Sequence, residues 1–442
     1  MAVKVGMVSL GCSKNQVDGE IMLSLIRQDG YELCGDAAQC DVVIVNTCGF
    51  IEDAKRESIE NILEFCERKR QGQVKAVVVT GCLAERYQQE IVSEIPEADV
   101  ILGIGRNTDI VAAIQQALDG QRVVEFSDKD DLVMDAERVL VNAPFFAYIK
   151  LADGCDNRCT YCAIPGIRGR FRSRKMENIL EEVRRFVAQG VTEINLVAQD
   201  TSRYGEDLYG RLMLPELIRE VCKIDGVHWV RILYCYPQRI TDELLEVMAA
   251  EPKVVKYMDV PLQHASGRVL KAMNRRGDKE YLLGLMQHIR EKVPGIVLRT
   301  TFITGFPGET EEDFAELTDL VREVRFERLG CFTYSLEDGT PAYDMPDQID
   351  EETKRRRAEI VMSEQMAIAE AFARSLIGRE LEVVVEGLDT ESGLYYGRSY
   401  MDAPDIDTRV WFDSPYEHEA GEYLPVTITD SQGYDLLGEE AE

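Results

Sequence analysis

The chain has 442 residues, with 80 acidic against 50 basic side chains and a formal net charge of −30. At roughly 150 residues per domain this length accommodates about three domains. The acid excess excludes a protein whose whole surface embraces nucleic acid, because such a surface must neutralise phosphates with Lys and Arg.

Hydrophobic residues make up 45% of the chain, enough for full globular cores. No apolar run approaches the roughly 18 residues of a membrane span, and the N-terminus lacks the apolar region of a signal peptide. Twelve cysteines in such a chain point to the reducing cytoplasm. There they serve as metal ligands, redox groups or small core residues rather than as disulfides.

Residues 1–120 alternate strand and helix signals. Val3–Leu10, Asp41–Thr47 and Lys75–Thr80 are short, Val-rich runs of the kind found in buried parallel strands. Helix-compatible stretches follow over Gln16–Gln28, Glu52–Arg70 and Ala84–Ile95, and a further apolar run, Ala98–Leu102, precedes a helix over Thr108–Leu118. This pattern predicts a doubly wound α/β domain. Cys12, Cys48 and Cys82 each fall at the carboxyl end of a predicted strand, at intervals of 36 and 34 residues, about one βαβ unit. Parallel strands bring their carboxyl ends to one edge of the sheet, so three thiols far apart in sequence are expected to converge. Neighbouring Gly11, Gly49 and Gly81 permit close backbone approach, and helix N-termini just beyond favour thiolates. A metal site and a chance alignment of buried cysteines both fit this pattern. Cys34, Cys40, Cys66, Cys222, Cys235 and Cys331 show no such register and read as core or incidental thiols.

Residues 121–143 form a mixed connector. A second strand–helix series then begins, with strands expected over Ala147–Leu151, Glu193–Val197, Trp229–Tyr234, Tyr257–Val260, Ile296–Ile303 and Leu329–Tyr334, and a long helix over Glu351–Leu376. Six such units build a partial or complete α/β barrel or an open sheet, which periodicity does not separate. Directly after the first of these strands stands Cys155-Asp156-Asn157-Arg158-Cys159-Thr160-Tyr161-Cys162, a C-x3-C-x2-C pattern. Three thiolates so spaced can fold over one face of a [4Fe–4S] cluster and leave one of its four irons without a protein ligand; a zinc site and three unrelated cysteines are the alternatives. Zinc sites more often use four ligands in paired sets. Gln199-Asp200-Thr201-Ser202, Gln263-His264 and the Thr304–Thr310 loop follow the second, fourth and fifth strands, where an α/β barrel places its site. Turn chemistry explains each of them equally well. The Gly305 loop is no phosphate-binding loop, since no Gly-Lys-Ser/Thr follows, and Gly103-Ile104-Gly105 lacks the third glycine of a dinucleotide fingerprint. After Gly378, short strand-like segments over Leu381–Glu386, Tyr395–Ser399, Arg409–Phe412 and Leu424–Asp430 predict a small all-β barrel.

The C-x3-C-x2-C pattern, with the aromatic Tyr161 before its last cysteine, resembles the radical S-adenosylmethionine (SAM) superfamily. The resemblance implies that the open iron chelates SAM, that one electron cleaves its sulfonium to a 5′-deoxyadenosyl radical, and that Tyr161, Gln199, Asp200, Thr201 and Gly305 contact the cofactor. Together with Cys12, Cys48 and Cys82 and the terminal barrel, the whole chain resembles the methylthiotransferases of that superfamily. This implies four segments: an N-terminal doubly wound domain over 1–120, the connector 121–143, a radical SAM core over 144–376 built as a (βα)6 partial TIM-like barrel, and a small antiparallel β-barrel, TRAM, over 377–442. It also implies a second [4Fe–4S] cluster on Cys12, Cys48 and Cys82 beside the one on Cys155, Cys159 and Cys162, with SAM as both methyl donor and radical source. A reductant such as flavodoxin or ferredoxin and a sulfur donor are the implied partners.

The family divides by substrate. Ser9-Leu10-Gly11-Cys12-Ser13-Lys14-Asn15, Val45–Ile51, Gln199–Gly205, Pro261–Ser266 and Asp402-Ala403-Pro404-Asp405-Ile406-Asp407 are similar to the branch that modifies an aspartate of small-subunit ribosomal protein S-twelve. Ser13 departs from the Pro common in that branch. The alternative branch acts on a modified adenosine of tRNA. Residues 377–442 hold 17 acidic and 3 basic residues, a net −14. Such a module repels phosphates and attracts a basic protein, although an acidic surface also serves plain solubility. The basic stretch Arg168, Arg170, Arg172, Arg174 and Lys175 runs the other way: it suits carboxylates of cofactor or substrate, RNA, or nearby acids of the chain itself.

Overall fold

The computed structural model describes residues 2–441. They fall into two compact units. The first comprises Met1–Val141, Lys150–Arg174 and Ser335–Tyr343, and the second Asn142–Ile149, Lys175–Tyr334 and Asp344–Glu442. The segment with Cys155, Cys159 and Cys162 therefore belongs to the first unit, although in sequence it follows a strand of the second sheet.

The first unit is built on β1 (Lys4–Ser9), α1 (Ser13–Gln28), β2 (Glu32–Leu33), β3 (Val42–Thr47), α2 (Glu52–Arg70), β4 (Ala76–Gly81), α3 (Cys82–Glu94), β5 (Val100–Leu102), α4 (Ile110–Leu118) and β6 (Val123–Glu125). Its strands form one sheet in the order β2-β1-β3-β4-β5-β6, with every neighbouring pair parallel. Alternation along the strands splits the core in two. Val43, Val45, Val77, Val79 and Ile101 meet Ile62, Phe65 and Cys66 of α2 and Leu83, Ala84 and Ile91 of α3 on one face. Val42, Ile44, Ala76, Val78, Val100 and Leu102 meet Met22 and Ile26 of α1 and Ile110 and Ile114 of α4 on the other. The expected doubly wound architecture is thus present. The sixth strand, β6, lies in the segment read as connector.

The second sheet follows with β7 (Phe146–Lys150), then β8 (Ala152–Asp153), α5 (Ile164–Arg168), β9 (Arg172–Ser173), α6 (Met176–Val187), β10 (Glu193–Val197), α7 (Glu206–Tyr209), α8 (Leu214–Cys222), β11 (Trp229–Ile232), α9 (Asp242–Ala250), β12 (Val254–Asp259), α10 (Gly267–Ala272), α11 (Lys279–Lys292), β13 (Val297–Thr304), α12 (Glu311–Val324), β14 (Arg328–Thr333) and α13 (Glu351–Ser375). Its order is β14-β13-β12-β11-β10-β7, six strands in consecutive sequence with β7 and β14 at the edges. The sheet is open, and its pairings from β10 to β14 are parallel. The small pair β8–β9 is antiparallel.

A closed barrel completes the chain: β15 (Glu380–Leu388), β16 (Tyr395–Ser399), β17 (Val410–Asp413), β18 (Tyr423–Gln432) and β19 (Asp435–Glu440). One of its pairings, β17 with β19, is parallel, because β18 intervenes and returns the chain in the direction of β17. Within the second unit the barrel docks on the sheet through the segment 398–407. Arg398 and Arg231 both pair with the buried Glu193, Arg398 at 2.7 Å and Arg231 at 3.0 Å. Arg328 pairs with Asp402 at 2.6 Å, and the Tyr257 hydroxyl donates to Asp407 at 2.6 Å. Asp402 and Asp407 therefore hold the barrel in place, whereas Asp413, Glu417, Glu419, Asp430 and Glu439 remain on its exposed surface. No helix among the described residues is long and apolar enough to cross a membrane.

His418 of this barrel lies between Glu422 and Glu440, each 3.0 Å away. Burial pushes the imidazole down, but the two carboxylates outweigh it and raise its pKa above the ordinary value. A group whose pKa is higher in the folded chain contributes stability that is complete below the unfolded pKa and fades as pH rises through the folded one. The native chain is therefore expected to lose stability between about pH 6 and pH 9 by up to about 1 kcal/mol more than His418→Gln does, a small effect because Glu422 is exposed. Unfolding free energies from urea titrations that change equally with pH in the two proteins would refute this.

Candidate functional site

Adjacent β1, β3 and β4 keep a level register: Ser9 stands opposite Asn46, and Asn46 opposite Thr80. Their carboxyl ends therefore share one edge. Cys48 and Cys82 directly follow β3 and β4, and Cys12 lies three residues beyond β1. Cys12 caps the N-terminus of α1 and Cys82 opens α3, so two helix N-termini bring partial positive charge to the sulfurs. The three thiols interact electrostatically with one another. All three thiols thus lie at the carboxyl edge of this sheet.

Side chains of the same loops fix this edge. The Thr47 hydroxyl donates to the Thr80 carbonyl at 2.6 Å and accepts from the Leu83 N–H at 3.2 Å. Asn46 donates to the Asn15 carbonyl at 2.9 Å, and Asn15 donates to the Thr47 carbonyl at 3.3 Å. The Ser58 hydroxyl both accepts from the Cys48 N–H and donates to the Cys48 carbonyl, at 3.0 Å each. Two glycines are required by space. A Cβ on Gly49 would stand 2.7 Å from the Leu83 Cα, and one on Gly81, whose φ is +94°, would stand 2.5 Å from the Thr47 carbonyl oxygen.

Arg168, at the end of α5, is fully buried. Its guanidinium donates to Asp18 and Asp153 at 2.8 Å each, and its other nitrogen donates to Asn15 and to the Cys82 Sγ, both at 3.4 Å. Lys150 completes a buried box of four charges, pairing with Asp18 and, at 2.9 Å, with Asp153. Burial pushes the Asp153 carboxyl up, but Arg168 and Lys150 outweigh it and hold it well below the usual range. At Cys12, whose residue is exposed, crowding by neighbouring atoms raises the thiol pKa, but Lys14 and Arg168 overcome it and leave the pKa lowered. Burial raises the Cys82 thiol to about 12 against the pull of Arg168, and it raises Cys48 as well.

The basic stretch is thereby largely explained. Arg168 neutralises Asp18 and Asp153, Arg172 pairs with Asp130, and Arg174 pairs with Asp135 at 2.6 Å. The sequence left carboxylates of cofactor or substrate, RNA and acids of the chain as alternatives for these arginines, since the acidic partners lie up to 150 residues away.

The second cysteine loop is clamped at its base by β8–β9, by the Cys155 N–H donating to the Gly169 carbonyl at 3.1 Å, and by the Gly154 N–H donating to Asp153 at 2.8 Å. The Cys162 N–H closes a turn onto the Cys159 carbonyl at 3.0 Å. Tyr161 is half-buried within that turn. The segment 335–343 fastens to both cysteine-bearing regions of this unit. Buried Glu337 accepts from Arg86 at 2.6 Å and Lys55 at 3.1 Å, Arg86 also donates to the Gly49 carbonyl at 2.9 Å, and the Ala342 N–H donates to the Thr160 carbonyl at 2.9 Å. Nothing in the local sequence signalled Glu337 as an anchor.

In the second unit, Gln199, Asp200 and Thr201 follow β10. Asp200 accepts from the Ser202 hydroxyl at 2.7 Å and from Arg239 at 2.9 Å, and the Thr201 hydroxyl accepts from the Ala198 N–H at 2.9 Å. Gln199 is half-buried, and the structure gives its side chain no hydrogen-bond partner among the described residues. Gly305 has φ +73°, and a Cβ there would meet the Lys354 Cγ at 2.2 Å; its N–H donates to Glu309 at 2.9 Å. Glu309 also pairs with Arg357 at 2.7 Å and stands 3.3 Å from His264 Nε2. The remaining cysteines behave as expected: Cys40 and Cys66 lie in the core of the first unit, and burial lifts Cys66 and Cys222 to about 11 and Cys40 and Cys331 to about 12.

Among the described residues no three His, Cys, Asp or Glu side chains stand together as ligands of a single metal ion do. A four-iron cluster takes its three thiolates on three different irons, so its sulfurs need not converge on one point. Cys12, Cys48 and Cys82, with two helix N-termini and the Arg168 guanidinium turned toward them, fit such an anionic group in donor type and in charge.

Three family models match the chain: the uncharacterized protein family UPF0004 over residues 4–103, the Radical SAM superfamily over 149–321 and the TRAM domain over 377–440. The chain is 48% identical over 437 residues to the ribosomal protein uS12 methylthiotransferase RimO of Lachnoclostridium phytofermentans, with 99% of each chain covered. It is equally 48% identical over 442 residues to the protein of that name from Pelotomaculum thermopropionicum, again with 99% of each covered. Among solved structures, the radical S-adenosylmethionine methyltransferase TsrM of Kitasatospora setae matches with a TM-score of 0.58 over 77% of each chain at 14% identity, a likeness of fold.

Proposed function

Since the chain belongs to the family of ribosomal protein uS12 methylthiotransferases (RimO), we propose that it adds a methylthio group to the β-carbon of one aspartate in small-subunit ribosomal protein uS12. The observation that carries this reading is relationship over the full length, 48% identity across 99% of both chains, joined to two separate sets of three cysteines in the sequence. Cys155, Cys159 and Cys162 are assigned to one [4Fe–4S] cluster and Cys12, Cys48 and Cys82 to a second. When bound, the clusters and SAM supply a methylated sulfur and a radical able to take hydrogen from an unactivated carbon.

The chain's own residues prepare that chemistry. Gly49 and Gly81 let the backbone approach a bulky group. Thr47, Asn46 and Ser58 hold the three thiol-bearing loops to one edge, which supplies proximity. Tyr161, Gln199, Asp200, Thr201 and Gly305 are assigned to SAM. Gln199 has the amide without an internal partner, while Asp200 and Thr201 shape the turn that presents it. The exposed acids of the terminal barrel favour a basic protein as substrate. A cytoplasmic location, a sulfur donor and a flavodoxin- or ferredoxin-like reductant complete the reading.

The test uses purified holoenzyme with SAM, reductant and sulfide, offered ribosomal protein uS12 and tRNA together. A mass gain of one methylthio group on the protein, with unchanged tRNA, is expected. Methylthiolated tRNA beside unmodified protein would overturn the assignment in favour of the tRNA branch.

A further inference from the structure

Arg168 is carried by the helix that leaves the second cysteine loop, yet its guanidinium reaches the first set of cysteines. It donates to the Cys82 Sγ at 3.4 Å and, from the same nitrogen, to the Asn15 side-chain oxygen at 3.4 Å, while its charged partners, Asp18 and Asp153, are both buried carboxylates. Its side chain is 1% exposed, so water screens none of this field. The four-charge box of Lys150, Arg168, Asp18 and Asp153 sums to zero, but it is oriented, with the cationic nitrogen nearest the sulfur and the carboxylates on the guanidinium's far nitrogen.

We propose that Arg168 is a positioning residue that orients the Cys82 thiolate and raises the reduction potential of the cluster held by Cys12, Cys48 and Cys82. This rests on the assignment of those cysteines to a [4Fe–4S] cluster. Hydrogen bonds to cluster sulfurs and nearby net charge are established levers on cluster potential. One-electron reduction adds negative charge to the cluster, and a buried cation beside a ligand sulfur stabilises the reduced form relative to the oxidised one. The same residue ties the two cysteine regions of the first unit through Asp153, which hydrogen-bonds the Gly154 N–H just before Cys155.

The experiment is a dithionite redox titration followed by electron paramagnetic resonance. It uses the full chain carrying Cys155→Ala, Cys159→Ala and Cys162→Ala, so that only the cluster in question remains. Iron counting comes first: about four irons are expected, and their absence would sink the cluster assignment itself, separately from the role of Arg168. Arg168→Gln leaves the box with a net charge of −1 and is expected to lower the potential, by at least the equivalent of a tenfold change in the oxidised-to-reduced ratio, about 59 mV for one electron. Asp18→Asn, nearly the same shape, leaves it with +1 and is expected to shift the potential upward. Arg168→Lys restores the charge and should recover most of the native value. A purely structural role predicts no such reversal of sign. An unchanged potential in both Arg168→Gln and Asp18→Asn overturns the proposal, as does a shift of the same sign in both. If Arg168→Gln does not fold, the upward shift in Asp18→Asn decides alone.

Discussion

Exchanging Cys12, Cys48 and Cys82 together for alanine will remove about half of the iron, about four of roughly eight atoms per chain. It will also lower methylthio transfer by more than about 10³-fold, because the proximity of reacting groups accounts for a larger factor than that. Cleavage of SAM to 5′-deoxyadenosine will continue, since Cys155, Cys159 and Cys162 are untouched. The separation of the two readouts is the informative part. The three cysteines sit at the ends of β1, β3 and β4, one from each strand, and the strands themselves are held by buried Val, Ile and Ala on both faces. Losing three thiols at their ends removes little of that core. An unchanged iron count, or loss of SAM cleavage along with transfer, would contradict the assignment.

Glu193→Ala will destabilise the second unit by about 3–5 kcal/mol, the cost of leaving buried partners of a broken ion pair uncompensated. Glu193 is fully buried and accepts from Arg231 at 3.0 Å and from Arg398 at 2.7 Å. Arg231 is itself fully buried, and Arg398 lies over the Phe146 ring. Burial raises the Glu193 carboxyl pKa, yet Arg398 and Arg231 outweigh it and leave it lowered. A carboxylate with a lowered folded pKa contributes stability above its unfolded pKa and loses it as pH falls through the folded one. The destabilisation is therefore expected at neutral pH and should shrink in acid. Because Arg398 belongs to the terminal barrel and Glu193 to β10, the variant should loosen barrel and sheet together. Differential scanning calorimetry reads this as an earlier first transition. A change below about 1 kcal/mol would mean that the two arginines find other partners.

Much of the fold was legible because its strands are short, buried runs bounded by glycines and helices. Glu193–Val197 and Tyr395–Ser399 coincide with the expected segments, as does the helix over Glu52–Arg70. Five strands were not read. β2, β8 and β9 have two residues each, β6 has three inside a charged connector, and β19, Asp-Leu-Leu-Gly-Glu-Glu, lacks the alternation of a half-buried strand. Each is specified by a neighbour that accepts it rather than by its own pattern.

The sequence by itself determined the relationship, the strand–helix series and the two sets of cysteines, because spacing and periodicity are local and survive without knowledge of the fold. It also implied that Cys12, Cys48 and Cys82 meet, since parallel strands put their carboxyl ends on one edge. Only the tertiary structure decided which charges face that edge. Arg168 reaches Asp18 across 150 positions and Cys82 across 86, Glu337 reaches Arg86 across 251, and Asp402 and Asp407 of an acidic motif turn inward to Arg328 and Tyr257. Such pairings depend on strand order and register. A buried ion pair needs its partner only in space, and no periodicity along the chain records where that partner will stand.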